Sequence, residues 1–331
     1  MKLQWFCRWG TLVLLAGWLG WPARGEVNPL KQETVAYAGW PHCIKLSNGS
    51  IELIATTDVG PRIMRFGFVG GANVLGENAP DLGKTGGREW RSYGGHRLWN
   101  APEHALLTYA LDNAPVQHTW ANGVLTLTQA TEPETGIQKQ ITVRMEPESD
   151  RVTLTHRLLN TTSGALQLSP WCLTVMTTGG TAIIPQEDFR PHPDNLQPAR
   201  PMVLWHYTNM ADPRWTWGRK YIQLRQDNAV PGKQKVGLFN HQGWMAYALA
   251  DQVFVKSYPA DAHSTYPDYG CNTETFTNVG MLELETLGPL VTAMPGESVE
   301  HVETWQLFKA KPELNDAGID GTVLPLVKSM R

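Results

Sequence analysis

Apolar residues recur at every second position through much of this chain, and that period admits few folds. Val152, Leu154, His156 and Leu158 alternate with Arg151, Thr153, Thr155 and Arg157, and Ile141, Val143 and Met145 alternate with Gln140, Thr142 and Arg144. Successive side chains of a strand point to opposite faces, so each run predicts a half-buried strand. Asn48-Gly49 and Asn122-Gly123 each separate two such runs, and these dipeptides supply the positive φ angles of tight hairpins. Further strands are expected over Ile51–Thr57, Arg62–Phe68, Tyr221–Arg225, Lys235–Phe239, Trp244–Leu249, Gln252–Ser257, Val279–Thr286 and Val299–Phe308. Helical signals are confined to Ala101–Leu111 and Thr322–Met330. Many strands at short spacing, with Gly and Pro between them, indicate an all-β fold, a large sandwich or barrel with few short helices. No linker or abrupt change of composition divides residues 26–331, which are expected to form one domain. Asn78–Pro102 and Pro185–Trp217 are long and irregular, and such stretches in a compact domain are commonly functional.

The N-terminus has a different character. Lys2 and Arg8 precede an apolar run from Thr11 to Trp21, and Ala23-Arg24-Gly25 then offers small residues for cleavage. This pattern predicts a signal peptide over residues 1–25, a mature chain starting at Glu26, and export to the periplasm or the cell exterior. The run is short for a membrane span, which takes about 20 residues, and no second stretch of spanning length follows. Removing the leader leaves 25 basic against 31 acidic residues, a formal charge of about −6. That balance argues against nucleic acid or an anionic membrane as partner, because both need a basic footprint. Cys43, Cys172 and Cys271 are too few and too widely spaced for a disulfide scaffold, although one bridge among them is compatible with an oxidising compartment.

Two segments carry chemistry. Gly94 to Glu103 reads as a loop in which two glycines precede His96, Arg97, Trp99 and Glu103. Sugars are held by such mixtures, with an aromatic face for the C–H side of the ring and planar charged groups for the hydroxyls. The same residues would equally serve a structural loop whose His96 and Arg97 satisfy buried carbonyls. In Met281-Leu282-Glu283-Leu284-Glu285-Thr286, a strand places Glu283 and Glu285 on one face about 7 Å apart. Neighbouring carboxylates raise each other's pKa, as a general acid or base requires. Trp90, Trp99, Trp205, Trp215 and Trp217 fall in the irregular stretches, where they suit a sugar platform or a small core beneath a loop. The ten histidines show no metal-ligand spacing, so no metal and no cofactor is expected. His156 reads as a core histidine. The polar stretch from Asp261 to Glu274 reads as a solvated loop.

Gly60-Pro61-Arg62-Ile63, the run Gly94 to Glu103, Ser169-Pro170-Trp171-Cys172-Leu173-Thr174 and Leu284-Glu285-Thr286 together resemble the galactose-mutarotase-like superfamily, the β-supersandwich fold of the aldose 1-epimerases. Pro295-Gly296-Glu297 and Thr304-Trp305 resemble its closing pattern. The similarity is narrower to a mostly bacterial branch of the superfamily. It implies a carbohydrate ligand, and Glu285, followed by Thr286, matches the glutamate that deprotonates the anomeric hydroxyl. The superfamily's acid is a histidine on a mid-chain strand, where this chain has Ser169-Pro170-Trp171-Cys172. His96 is then the candidate acid, Arg62, Arg97, Glu103 and Glu283 bind hydroxyls, and Trp99, Trp171 and Trp205 line a cleft. Two alternatives stay open. One is a carbohydrate-binding module of the same fold without catalysis. The other is an inverting glycoside hydrolase using Glu283 and Glu285, although acids on one strand act from one side whereas cleavage needs them flanking the bond.

Overall fold

A computed structural model describes residues 1, 30–105 and 107–330. Apart from Met1, the expected leader and Glu26 lie outside the described residues. In chain order the strands are β1 (Lys31–Tyr37), β2 (Trp40–Ser47), β3 (Ile51–Thr56), β4 (Arg62–Phe68), β5 (His96–Asn100), β6 (Gln117–Ala121), β7 (Val124–Thr128), β8 (Ile137–Met145), β9 (Arg151–Asn160), β10 (Leu166–Leu168), β11 (Pro170–Met176), β12 (Thr181–Pro185), β13 (Met202–Leu204), β14 (Trp215–Trp217), β15 (Tyr221–Arg225), β16 (Gln234–Leu238), β17 (Trp244–Leu249), β18 (Gln252–Ser257), β19 (Thr273–Asn278), β20 (Met281–Leu287), β21 (Val291–Ala293) and β22 (Ser298–Lys309). A single turn, α1 (Pro267–Gly270), and a longer helix, α2 (Asp316–Ser329), complete the set.

The strands form two ten-stranded antiparallel sheets. The first runs β1-β2-β3-β4-β5-β11-β20-β19-β16-β13 and the second β14-β15-β12-β17-β18-β22-β9-β8-β7-β6, with β10 and β21 paired apart. Their inner faces meet in one apolar core. Phe66 of the first sheet packs against Phe254 and Trp305 of the second, with centroids 6.0 and 5.7 Å away. Each such ring removed from water contributes about 1.5–3 kcal/mol.

Burial along the strands shows where the sheets are covered. In β9, Val152, Leu154, His156, Leu158 and Asn160 are buried and their neighbours half-buried, as one wet face demands. By contrast β11 is buried at all seven positions and β20 at six of its seven. Something therefore covers the outer face of the first sheet at its centre. On the second sheet the cover is α2, whose Ile319, Val323 and Val327 pack on Tyr221, Trp244, Val253 and Val255.

Several expectations need correction. His96–Asn100 is a central strand, not a loop. Gly94 and Gly95, at φ +87° and +69°, are needed because a Cβ would come within 2.3 Å of Gly76 O and Ile63 O respectively. The close approach they allow is to neighbouring backbone, not to a ligand. Among the described residues of 101–111 there are turns and no helix. The terminal helix starts at Asp316, capped by Asn315 Oδ1 accepting from Gly318 N (2.8 Å); Gly318 and Gly321 had masked its first turns. Asp261–Glu274 is not all loop: it contains α1 and opens β19. Cys43, Cys172 and Cys271 are free and buried. Among the described residues, no helix is long and apolar enough to cross a membrane.

Candidate functional site

The covered centre of the first sheet carries an ordered patch of charge and aromatic rings. Strand register aligns Arg97, Leu173, Glu285 and Glu274 in one row across β5, β11, β20 and β19. Residues directly opposite in a sheet share a face, and Glu283, two positions from Glu285, joins them. Trp99 and Trp171 form the adjoining row. Lys235 of β16 reaches into the patch, placing Nζ 2.7 Å from Glu274 and 2.8 Å from Glu285. Trp171 Nε1 donates to Glu285 Oε2 at 2.9 Å. Arg97 pairs with Glu283 at 3.0 Å.

Rings enclose these charges. The Lys235 ammonium lies 4.7 Å from the ring centres of both Trp171 and Trp205, and the Arg97 guanidinium 4.2 Å from Trp99 and 5.6 Å from Trp90. Desolvated cation–π contacts contribute on the order of 2 kcal/mol. Trp99 meets Trp171 and Tyr109 edge-on, at 5.4 and 5.3 Å. Trp205 is half-buried, and Tyr207 and Trp90 are exposed at the rim. Tyr109 Oη donates to the exposed Glu103. Along β11 and β20, one strand step beyond Leu173 and Glu285, Val175 lies opposite Glu283. Val175 and Met281 line a cavity of about 520 Å³ that also includes Asn73, Glu77, Asn78 and Asn278.

Buried polar atoms are almost always hydrogen-bonded, and here several are not. Arg97 Nε and Nη1, Glu285 Oε1 and Glu274 Oε1 are inaccessible to solvent and lack a hydrogen-bond partner. Protonation follows the same burial. Desolvation pushes Glu283 up to about 7, against the pull of Arg97. It raises Glu274 well above the usual carboxylate range, with Lys235 opposing and Glu285 reinforcing. Burial would lower Lys235, but Glu274 and Glu285 outweigh it and hold the ammonium well above its ordinary value.

His96 is not part of this patch. It neighbours Arg97 on β5 and so points to the opposite face, into the core between the sheets, where it is fully buried. The expected pairing of His96 with Glu285 across one cleft is therefore absent. His96 instead joins a polar network. His156 Nδ1 donates to His301 O (3.1 Å), which leaves His156 Nε2 to accept from His96 Nε2 (2.7 Å). His96 Nδ1 then accepts from the Thr174 hydroxyl (2.9 Å), whose oxygen accepts from Lys256 Nζ (2.8 Å). Lys256 also pairs with Glu303 at 2.8 Å, and Trp305 Nε1 donates to Glu303 at 2.8 Å. Ligand atoms of His96, His156 and Glu303, and of Cys172, His301 and Glu303, lie within 4.8 Å of one another. The Lys256 ammonium already supplies a cation to Glu303, and the imidazole nitrogens of this network are committed to hydrogen bonds, so the network is a structural one.

Of the other expected residues, Arg97, Trp99, Trp171, Trp205, Glu283 and Glu285 are brought together. Arg62 shares the outer face, but its guanidinium donates to Ser92 O and Gly94 O and pairs with Asp112 at 2.5 Å, fastening the segments before and after β5. Trp90, one of the tryptophans of the irregular stretches, joins the patch, whereas Lys235, Glu274 and Tyr109 were not singled out from sequence as site residues. Glu274 is flanked by Thr273 and Thr275, β-branched residues that favour a strand, although the polar stretch that it ends suggested a solvated loop.

No protein-family profile matches the sequence, and no curated relative matches it. Solved structures share its architecture. A TPR-domain containing protein from Parabacteroides distasonis superposes with a TM-score of 0.56 at 15% identity, over 82% of this chain. This chain spans about half, 48%, of that protein's length. The Slr1438 protein from Synechocystis gives 0.54 at 12% identity, covering 84% of this chain and 99% of its own. A galactose mutarotase-like protein from Clostridium acetobutylicum gives 0.52 at 10% identity, covering 86% and 100%. The fold is thus the galactose-mutarotase-like β-sandwich. Within it, this chain carries an acid-rich, tryptophan-lined patch on the outer face of one sheet.

Proposed function

We propose that the chain is an exported protein that binds a carbohydrate on this patch, and that Glu285 serves there as the base of an anomer-interconverting reaction. The observation that carries the reading is the set of buried, unpartnered polar atoms on Arg97, Glu285 and Glu274 beneath tryptophan rings. Leaving each unpaired costs about 1–3 kcal/mol, and a sugar's hydroxyls would satisfy donors and acceptors alike. In the reaction Glu285 takes the proton of the anomeric hydroxyl, the bond from C1 to the ring oxygen breaks, and an acid protonates that oxygen. Rotation and reclosure return both protons. Glu285 has no exposed surface, so a sugar gains access by displacing the half-buried Trp205 from above Lys235.

Non-catalytic binding is a second reading, favoured by His96 pointing away and by Lys235 and Trp171 both holding Glu285. Exchange spectroscopy on freshly dissolved single-anomer sugars, alongside binding followed by tryptophan fluorescence, separates the two. Catalysis predicts faster anomer exchange that Glu285→Gln abolishes; binding alone predicts quenching with no change in exchange. Neither effect across a broad panel of sugars would sink both. Export is checked by the N-terminus of the protein recovered outside the cytoplasm, expected at Glu26.

A further inference from the structure

The patch holds more carboxyl groups than its cations can neutralise. Arg97 and Glu283 form one pair. Lys235 then faces Glu274 of β19 and Glu285 of β20, while the half-buried Asp268 of α1 is near enough to Glu274 for its charge to be felt there. One ammonium against two fully buried carboxyls, with the half-buried Asp268 alongside, leaves surplus negative charge withdrawn from solvent. Uncompensated buried charge is avoided by taking up a proton. Geometry says where it sits. Lys235 reaches both acids, but Glu285 also accepts from Trp171 Nε1, a second donor that favours its carboxylate form. Glu274 Oε1 has no donor, so the surplus proton sits on Glu274 with less loss than on Glu285.

The geometry points to Glu274 as the proton donor of this site, working opposite Glu285 in the role that His96 is placed too far away to fill. The inference rests on the catalytic reading above. Glu274 and Glu285 are direct cross-strand partners, with Cβ atoms about 5 Å apart. That spacing suits the reaction, because the anomeric oxygen and the ring oxygen are bonded to the same carbon and two acids must reach both. Glu274 gives its proton to the ring oxygen as the C1–O bond breaks, and Glu285 takes the proton from the anomeric hydroxyl. On closure to the other face, Glu285 returns its proton to the carbonyl oxygen and Glu274 recovers one from the opened chain's hydroxyl, so nothing is oxidised or reduced. Lys235 is the poorer donor, since the Glu285 carboxylate at 2.8 Å holds its proton. Glu283 is engaged by Arg97 and stands two residues along β20, off the row.

The test has two arms on the whole mature chain. In protein with its glutamate carboxyls labelled with carbon-13, a pH titration should show one glutamate still protonated above neutrality, and that signal should vanish in Glu274→Gln but persist in Glu283→Gln. A titration of the unmodified protein in which every glutamate is ionised at neutrality overturns the inference without any variant. In the exchange assay, Glu274→Gln should slow anomer interconversion by roughly 10²-fold or more, as loss of a general acid does, and remove the alkaline limb of the pH profile. Unchanged exchange in Glu274→Gln, with an active parent, overturns the donor and leaves the catalytic reading of the patch intact. A parent that accelerates exchange of no sugar overturns that reading and the donor with it.

Discussion

At the scale of single residues, burial decides what an ion pair contributes. Lys235 and its two acids are withdrawn from water, so removing the ammonium leaves the Glu285 carboxylate without its cation. Lys235→Met should cost about 3–5 kcal/mol in urea unfolding, the range for breaking a buried pair. Lys220, exposed beside Asp320, serves as control: Lys220→Met should leave the urea midpoint nearly unchanged, since solvent screens the pair. Equal costs would show that the patch is wetter than described. The same scale explains what could be read from sequence. Glu283 and Glu285 stood out because a two-residue period puts like side chains on one face. His96 was misplaced because Gly94-Gly95 suggested a loop. Once His96 and Arg97 are known to be consecutive on a strand, one of them must face away from the other. No local pattern states that Lys235 and Glu274, from different strands, converge on Glu285.

At the scale of elements, alternation exposed the strands that have one wet face and left the others ambiguous. β8, β9 and β22 were legible, because their polar residues mark solvent at every second position. β5 and β19 were not, since both their faces are covered and their covered faces are themselves polar. α1 is the oddest element. Asp268 and Tyr269 have φ of +50° and +60°, the left-handed region that costs a non-glycine residue about 1–2 kcal/mol. Tyr269 is 97% exposed, so its ring packs on little that would be lost. Tyr269→Gly should therefore raise stability by a few tenths to about 1 kcal/mol, strain relief exceeding the extra freedom of glycine in the unfolded chain. A clear loss of stability would mean that the ring finds a partner in solution.

For the whole molecule, the core between the sheets and the outer face of the first sheet respond to pH in opposite ways. Burial lowers His96, His156 and His301 in the core, His301 to about 3. Between pH 6.5 and 3 the unfolded chain takes up protons that the folded chain refuses, so stability falls with acid. For His301 alone the loss is about 2 kcal/mol by pH 5, at roughly 1.4 kcal/mol per unit of pKa. Glu283 acts the other way. With a folded value of about 7 above an ordinary 4.5, it holds a proton the unfolded chain has lost, and its contribution drains away as pH rises through that window. Unfolding midpoints should rise between pH 3 and 6.5 in Glu283→Gln more steeply than in the parent. Parallel curves would contradict the raised value.

The helix α2 lies on the outer face of the second sheet, away from the first. The molecule therefore has a palm and a back. The back is sealed by apolar contacts, so it can be tethered, fused or tagged through exposed helix positions such as Lys328 without touching the palm. Any attempt to change which guest the palm holds belongs instead in the connections that roof β5, β11, β19 and β20, where a loop can be rewritten over a floor of strands that stays as it is.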